Sequence, residues 1–357
     1  MISKRLAKVV SIKSENEEIQ DLVVEIDSKE SRAYNYVAMT GHADIGDCVV
    51  VNTTAVELSL GTGGFHYVIL NMDKPESNLT PGGHIMKLRY TPLQIKVDSV
   101  EEQASPYHDV FAGFESLDSL PVAVGALHSI LQPFAATYKK FKPDAKLVYI
   151  MTDGAALPIS FSKNVENLKK AGLIDKTITY GNAFGGDYEC INIYTALITA
   201  KEICKADCVL VAMGPGIAGT GTKYGFSGID QATILDAVSK LGGRSYMIPR
   251  ISFADKRDRH RGLSHHTLTI LKDIVNNPTR IIINKAYQDD KLARIKEQLE
   301  ENDLYTSHQI IEYDYQDTKL DLDSNNMRVK SMGRSFDEDR EFFEAASAVA
   351  AYMGKEE

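Results

Sequence analysis

The chain has 357 residues and a formal net charge of −9, with 43% of its residues hydrophobic and 25% charged. This composition is typical of a soluble globular protein, and the length favours two domains over one. The acidic balance argues against a general nucleic-acid or membrane-surface role, and neither a membrane-spanning run nor a signal peptide is recognised, so a cytoplasmic location is expected.

Residues 1–100 are predicted to form a small all-β, barrel-like domain. Short apolar runs alternate here with turn-forming residues, which is the pattern of small barrels and sandwiches. The predicted strands are 6–12, 21–26, 48–51, 65–70 and 94–97. The glycine-containing segments 61–64 and 81–83, the latter followed by His84, are interpreted as hairpin turns, with a ligand contact at a domain interface as the alternative.

Residues 101–357 are predicted to form a doubly wound α/β domain with a mostly parallel sheet. Helical and strand patterns alternate here after a linker over 98–121, as in folds built from parallel strands and crossover helices. The predicted strands are 147–151, 177–180, 208–213, 245–248, 280–283 and 307–313. The predicted helices are 122–141, 164–171, 191–204, 229–241, 291–301 and 336–353, the last with Ser335 as its N-cap and acidic residues in its first turn.

The cysteines bear on whether the fold needs a cross-link or a structural metal. Their positions are Cys48, Cys190, Cys204 and Cys208. Because this spacing is irregular and contains one close pair without a second, buried free thiols are favoured over a disulfide or a zinc site.

A glycine-rich loop, 214–223, follows the predicted strand 208–213 and opens with a G-x-G-x-x-G pattern. A dinucleotide site is disfavoured, because the next helix does not begin at once, the following strand does not end in an acidic residue, and Pro215 removes a backbone donor. The Thr-Lys order also excludes a Walker A loop. Exposed N–H groups can still bind an oxyanion, with a tight crossover as the alternative. The candidate ligand contacts are Gly214, Gly216, Gly219, Thr220, Gly221, Thr222 and Lys223.

The most informative segment is 250–267, between the predicted strand 245–248 and a helical pattern over 268–275. Residues 250–261 contain five Lys/Arg against two Asp, and three histidines lie within the seven residues 260–266. Such a concentration of cations and imidazoles at the exit of a strand indicates a site for an anionic ligand. The candidate anion-binding residues are Arg250, Arg257, Arg259 and Arg261.

The histidines of this segment are the candidates for acid–base or metal chemistry. Ser264 is predicted to cap the helix, which puts His265 and His266 in the first turn, where the helix dipole disfavours the imidazolium form. Neutral imidazole suits a metal ligand or a hydrogen-bonding electrophile, and His260 is the third candidate. A divalent metal is therefore possible.

Because adjacent helical residues point about 100° apart, His265 and His266 are not expected to bind the same ion. His260 with one of the two, plus Asp153 or Asp255, could converge on a metal or a phosphate. The alternative is structural: the histidines cap the helix and the arginines pair with nearby acids.

Two further loops follow predicted strands. Asp153 stands at the carboxyl end of strand 147–151, where a carboxylate can act as a general base, hold a metal or accept a ligand hydroxyl. A helix-capping or turn role for Asp153 is the alternative. Asn182 and Asp187 belong to the loop after strand 177–180 and are expected to line the same crevice.

Several of these segments together resemble an uncharacterised bacterial family known only as a domain of unknown function, number 3866. The similarity runs nearly end to end and implies no reaction and no catalytic residue. The segments that carry it are 86–94, 152–158, 214–216 with 219–222 and 225–228, 250–255 with 260–267, and 332–334.

The leading hypothesis is an enzyme, a hydrolase or group transferase, that acts on a small phosphorylated or carboxylated metabolite at the carboxyl edge of the α/β sheet. No serine nucleophile elbow or Cys–His motif is recognised. The alternatives are a nucleotide or metabolite sensor that uses the same pocket without turnover, and a structural scaffold. A homo-oligomer is expected.

Overall fold

The computed structural model describes residues 1–60, 64–154 and 157–356. The predicted turn 61–64 therefore lies mostly outside the described residues, as do Ala155 and Ala156. The chain divides into two compact units, Met1–Lys96 and Val97–Glu357. Within the described residues, no helix combines the length and the apolar character needed to cross a bilayer.

In the described part of the first unit, five strands close into a barrel in the order β1-β2-β3-β5-β4. Strands β3 and β5 are parallel and the other pairs antiparallel, which is the arrangement of a five-stranded Greek-key barrel of the OB type. Single helical turns follow β3 and β4. The elements are β1 (Lys4–Glu15), β2 (Ile19–Ile26), β3 (Lys29–Tyr36), α1 (Val37–Thr40), β4 (Cys48–Asn52), α2 (Thr54–Glu57) and β5 (Phe65–Asn71).

Strand β3 is absent from the predicted strands, and the composition of the barrel core explains why. Alternate residues such as Val9, Leu22 and Val49 point inward and pack together. Strand β3 contributes Ala33 and the fully buried Asn35, whose amide donates to Gln20 Oε1 at 2.8 Å. Because β3 shows little apolar alternation, its sequence does not predict a strand. The predicted strand 94–97 forms, but β7 (Ile95–Val97) pairs with β6 (Ile85–Lys87) in a separate two-stranded sheet.

The second unit contains a parallel sheet with helices on both faces. Its strands are β8 (Pro121–Gly125), β9 (Leu147–Thr152), β10 (Lys176–Tyr180), β11 (Tyr188–Cys190), β12 (Cys208–Met213), β13 (Arg244–Met247), β14 (Ile251–Ser252), β15 (Gly262–Leu263), β16 (Arg280–Asn284), β17 (Gln309–Tyr313), β18 (Lys330–Ser331) and β19 (Arg334–Ser335). Its helices are α3 (His108–Ala112), α4 (Leu131–Phe141), α5 (Lys163–Lys170), α6 (Ile193–Ile198), α7 (Gln231–Lys240), α8 (His265–Thr269), α9 (Asp289–Glu301), α10 (Leu304–Ser307), α11 (Thr318–Ser324) and α12 (Arg340–Glu356). Helices α6 and α8 continue as π-helical turns, Thr199–Ile203 and Ile270–Ile274.

The described strands of the main sheet are ordered β11-β10-β9-β12-β8-β13-β16-β17, and every adjacent pair is parallel. Successive residues of one strand enter different cores. Val148 and Ile150 pack on the side of α6, α7 and α9, whereas Tyr149 packs on the side of α4, α5 and α12. Burial on both faces is what makes these strands near-continuous apolar runs. The predicted doubly wound α/β domain after a small barrel is confirmed.

The predicted helix 122–141 is wrong in its first part, because residues 121–125 form the central strand β8. Val122 and Val124 face one core and Ala123 faces the other, so residues on both faces are apolar. The run therefore lacks the alternation of apolar and polar residues that would distinguish a strand from a buried helix. The edge strand β11, only three residues long, was not predicted.

The predicted start of the last helix is also wrong. Ser335 lies in β19, and its backbone N–H and hydroxyl both donate to Glu338 Oε2 at 2.8 Å, which closes a turn. Helix α12 begins at Arg340, so the acid of its first turn is Glu341. All four cysteines are free thiols, with Cys48 partly exposed and the others buried.

Candidate functional site

The candidate site lies at the carboxyl edge of the sheet. Strands β8 and β12 are neighbours in the sheet, but the chain leaves them in opposite directions. After β8 it continues to β9, toward one edge of the sheet, and after β12 it continues to β13, toward the other edge. Open α/β sheets bind ligands where connections diverge in this way. Two segments that leave this edge form the pocket: the loop after β12 and the segment 250–266 after β13.

Hydrogen bonds of the main chain bring the two ends of segment 250–266 together. Strands β14 and β15 pair as an antiparallel ribbon that closes the loop 253–261. The carbonyl of Arg250 accepts from the N–H of Ser264 at 2.9 Å, and the N–H of Arg250 donates to Thr267 Oγ1 at 3.0 Å. The Ser264 hydroxyl accepts from the N–H of His266 at 3.3 Å, which confirms Ser264 as the N-cap of α8. Arg250 therefore lies beside the first turn of α8.

The three histidines are brought into one cluster. The ring centroids of His260 and His265 are 4.8 Å apart, those of His260 and His266 5.0 Å, and those of His265 and His266 4.3 Å. His260 Nδ1 is 2.7 Å from the Ser264 hydroxyl, and the His266 ring stacks on Phe226 at 3.8 Å. His265 Nε2 is buried and has no hydrogen-bond partner among the described residues.

All three imidazoles are held neutral. Burial is the largest cause of the lowered pKa in each ring, and the guanidinium of Arg250 lowers it further. The pKa values of His260 and His266 fall to about 3. The sequence predicts a neutral His265 and His266 through the helix dipole, and the structure adds burial and neighbouring cations as causes.

Arg250 is the buried cation of the site, with 7% of its surface exposed. Its Nη1 lies 3.4 Å from His266 Nδ1, and its Nη2 lies 3.9 Å from Asp255 Oδ2. Burial lowers the pKa of Arg250 to about 10, so the guanidinium stays charged at neutral pH. A buried cation needs a counter-charge, and Asp255 is the nearby carboxylate.

Asp255 also binds Arg257 through two oxygens. Arg257 Nε donates to Oδ1 at 2.9 Å and Nη2 to Oδ2 at 2.7 Å, and Arg334 Nη2 is 3.8 Å from Oδ2. These hydrogen bonds hold the pKa of the Asp255 carboxyl well below its usual range. The exposed Arg259 completes the pocket wall near Gly221.

The resulting pocket has a volume of about 150 Å³, enough for a phosphate or carboxylate group with a few further atoms. Its described lining consists of Ile217, Ala218, Gly219, Gly221, Arg250, Arg257, Arg259, His260, His265, His266 and Met332. Three of these residues are arginines and none is acidic. The geometry therefore favours an anion.

Residues 32–350 match the model of a family described as protein of unknown function, DUF3866. The chain belongs to this family. The segments that carry the resemblance, including 214–228 and 250–267, all lie within the matched range. A search of the curated proteins finds no match to the chain. Membership of DUF3866 brings no reaction with it, so any activity has to be argued from the site.

In this DUF3866 protein, only part of the glycine loop reaches the pocket. Gly219 and Gly221 line it. The hydroxyls of Thr220 and Thr222 lie 2.9 Å apart and bond to the main chain of Gly225. Lys223 Nζ lies 3.0 Å from Asp273 Oδ2. The pocket lining does not include these three side chains, which stabilise the loop.

The remaining glycines and Arg261 also stand apart from the lining. A Cβ on Gly214 would lie 2.9 Å from Leu157 Cδ1, so Gly214 allows close packing. Gly216 has φ +110°, a conformation that favours glycine. The exposed Arg261 contributes its carbonyl, which accepts from Gln298 Nε2 at 3.2 Å.

Asp153 and Asn182 meet each other outside this pocket. Asn182 Nδ2 donates to Asp153 Oδ2 at 3.2 Å, while Asp153 Oδ1 is buried without a partner among the described residues. Asp187 binds Lys169 at 2.7 Å and both the N–H and the hydroxyl of Thr177. Burial alone would raise the pKa of Asp187, but these hydrogen bonds outweigh it and lower the pKa. Asp187 therefore joins α5 to β10 and does not line the pocket.

Neither Phe226 nor Met332 was identified from the sequence as part of the site, whereas Asp255 was a candidate partner of His260 at a metal or phosphate. Phe226 supports the His266 ring, and Met332 reaches the pocket from the turn between β18 and β19. The only signal for Met332 was its place in the segment 332–334 that resembles the family.

Proposed function

We propose that the chain is an enzyme, a hydrolase or group transferase, that acts on a small phosphorylated or carboxylated metabolite. The anionic group binds in the pocket between the glycine loop and segment 250–266. The observation that carries this proposal is the convergence of three arginines and three neutral histidines on one cavity of about 150 Å³.

The arginines have different roles in this proposal. The main chain of Arg250 is fixed by hydrogen bonds of its N–H and its carbonyl, and its buried guanidinium supplies a positive charge at the pocket. Arg257 is oriented by Asp255 through Nε and Nη2, and in this proposal its Nη1 binds ligand oxygens. Arg259 is exposed and contacts the ligand from the pocket entrance.

His265 is the proposed acid–base or hydrogen-bonding residue. Its Nε2 is buried in the cluster and has no partner among the described residues, so a ligand oxygen is the natural group to satisfy it. A bound anion also stabilises the protonated ring, which moves its pKa toward the working range of a general acid. Asp153 lies outside the lining and is given no role in this pocket.

A sensor that binds the same metabolite without turnover is the second candidate. The observation that favours it is the strongly lowered pKa of His260 and His266, because such imidazoles are weak bases at neutral pH.

The test compares two exposed arginines two positions apart. Binding of orthophosphate, phosphomonoesters and dicarboxylates is measured by calorimetry for the wild type, Arg259→Ala and Arg261→Ala. We expect Arg259→Ala to weaken binding about tenfold or more, as loss of a charge-assisted hydrogen bond implies, and Arg261→Ala to change it less than about twofold. Equal effects of both substitutions, or no anion bound by the wild type, would refute the pocket as the ligand site.

Turnover separates the two functions. Any ligand that binds is incubated with the wild type and with His265→Ala, and products are followed by phosphate release and mass spectrometry. Product formation lost in His265→Ala supports the enzyme. Tight binding without product for every bound ligand supports the sensor.

A further inference from the structure

We propose that His260, His265 and His266 form a three-nitrogen site for a divalent transition metal ion such as Zn²⁺ or Co²⁺, with an open coordination position facing the anion pocket. This inference rests on the proposed function, because the metal and the metabolite's anionic group would share one cavity. Its experiment is designed so that each can fail separately. With a metal bound, His265 would serve as its ligand in place of the acid–base role.

The spacing of the rings is the first support. One ligand nitrogen from each histidine lies within 4.8 Å of the other two. Tetrahedral coordination at about 2.0–2.1 Å places nitrogens about 3.3 Å apart and ring centroids about 5 Å apart. The observed centroid distances of 4.3–5.0 Å are close to that spacing, while the nitrogens have to approach from within 4.8 Å to about 3.3 Å when an ion binds.

The orientation of two rings is the second support. A neutral His260 can donate from Nδ1 to the Ser264 hydroxyl, 2.7 Å away, which leaves its Nε2 lone pair for a metal. Partners of this kind are typical of metal-ligating histidines. His265 Nε2 is already buried without a partner among the described residues. Both rings can therefore present Nε2 to an ion.

His266 sets a condition on the site. Its Nδ1 faces Arg250 Nη1 at 3.4 Å, a long contact in which the guanidinium is the donor. If Nδ1 keeps this contact, Nε2 carries the proton and cannot ligate. Metal binding therefore requires Arg250 to leave His266, and the departing guanidinium becomes available to the anion.

The charges of the site also couple metal binding to anion binding. A dication near three guanidinium groups is repelled, whereas an anion that binds both the metal and the arginines reduces this repulsion. Metal and anion should therefore strengthen each other's binding by the same factor. The all-nitrogen ligand set favours Zn²⁺, Co²⁺, Ni²⁺ or Cu²⁺ over Mg²⁺ and Ca²⁺, which prefer oxygen ligands.

The experiment uses the full chain stripped with EDTA and then dialysed. Co²⁺ is titrated with and without orthophosphate, and the visible d–d absorption reports occupancy and distinguishes tetrahedral from octahedral coordination. The variants are His265→Ala, chosen because His265 is only half-buried, and His108→Ala, an exposed histidine of the same unit that lies outside the pocket lining. Thermal unfolding without metal checks that each variant is folded.

We expect one equivalent of Co²⁺ with a four- or five-coordinate spectrum, tighter binding when phosphate is present, and a loss of about 100-fold or more in affinity in His265→Ala. His108→Ala should stay within about twofold. No Co²⁺ binding, an octahedral spectrum, or equal affinity in His265→Ala and the wild type would overturn the metal site.

The two proposals separate in the same samples. Phosphate binding that persists in EDTA while Co²⁺ does not bind refutes the metal and leaves the anion pocket intact. Co²⁺ bound at the histidines without any anion affinity supports the metal and refutes the anion site.

Discussion

Replacing Asp255 by asparagine removes one of the two buried counter-charges described in the arginine cluster while keeping the shape of the side chain. The other is Asp339, which accepts from Arg334 Nε at 2.8 Å. The Asp255 carboxylate is buried, accepts two hydrogen bonds from the Arg257 guanidinium, and lies within 4 Å of Arg250 and Arg334. In the variant, the buried Arg250 loses its nearest carboxylate. We therefore expect Asp255→Asn to destabilise the fold.

The magnitude follows from burial. Removing one partner of a fully buried ion pair costs about 3–5 kcal/mol, because the other charge is left uncompensated. The interaction of Asp255 with Arg257 is screened by solvent, because the Arg257 side chain is 44% exposed. Its interaction with Arg250 is weakened by the 3.9 Å separation of the charged atoms. We expect a loss of about 3 kcal/mol in the free energy of unfolding at neutral pH.

The assay is urea unfolding of the wild type, Asp255→Asn and the matched control Asp258→Asn. Asp258 is exposed in the same loop, and its substitution should change stability by less than about 0.5 kcal/mol. The folded-state pKa of Asp255 is lowered, so its stabilisation is present above the ordinary aspartate pKa and is lost as pH falls through the lower folded value. The difference between wild type and Asp255→Asn should therefore shrink only in strong acid.

An anion in the pocket should partly replace the missing carboxylate. Orthophosphate is expected to raise the unfolding midpoint of Asp255→Asn more than that of the wild type. If Asp255→Asn is as stable as the control and gains no more from phosphate, the carboxylate does not balance the arginines and our electrostatic account of the site is wrong.

Two further comparisons test packing and burial in the α/β unit. Gly262→Ala should cost about 3 kcal/mol or more in urea unfolding. Its φ is +74°, and a Cβ would lie 2.2 Å from Gln298 Oε1, which cannot move aside without breaking the hydrogen bonds of the Gln298 amide to the main chain of Leu263 and Arg261. Gly172→Ala, at φ +68° with nothing within 4 Å, should cost about 1 kcal/mol, and equal costs would exclude the clash. Burial lowers the pKa of His128 to about 4, so the wild type should lose about 3 kcal/mol more than His128→Gln as pH falls from about 6.5 to 4, and parallel pH profiles would contradict this.

Much of the α/β unit can be predicted from local sequence. The strands 147–152 and 208–213 are unbroken apolar runs, because a parallel sheet covered on both faces buries every side chain. The N-cap at Ser264 can also be predicted from the sequence, because capping depends on residues only a few positions apart. Strand β8 was not predicted, because it too lacks alternation of apolar and polar residues, and its residues were assigned to the start of the helix that follows.

The chemical character of segment 250–267 was determined by the sequence itself, because five cations and three histidines lie within 17 residues. Which of them converge was decided only by tertiary structure. The ribbon β14–β15 returns His260 to Arg250, while the exposed Arg261, one residue further on, is not part of the described lining. Long-range ion pairs, such as that of Lys223 with Asp273, removed other candidates from the site. Such partners depend on how distant segments pack, and no local pattern contains that information.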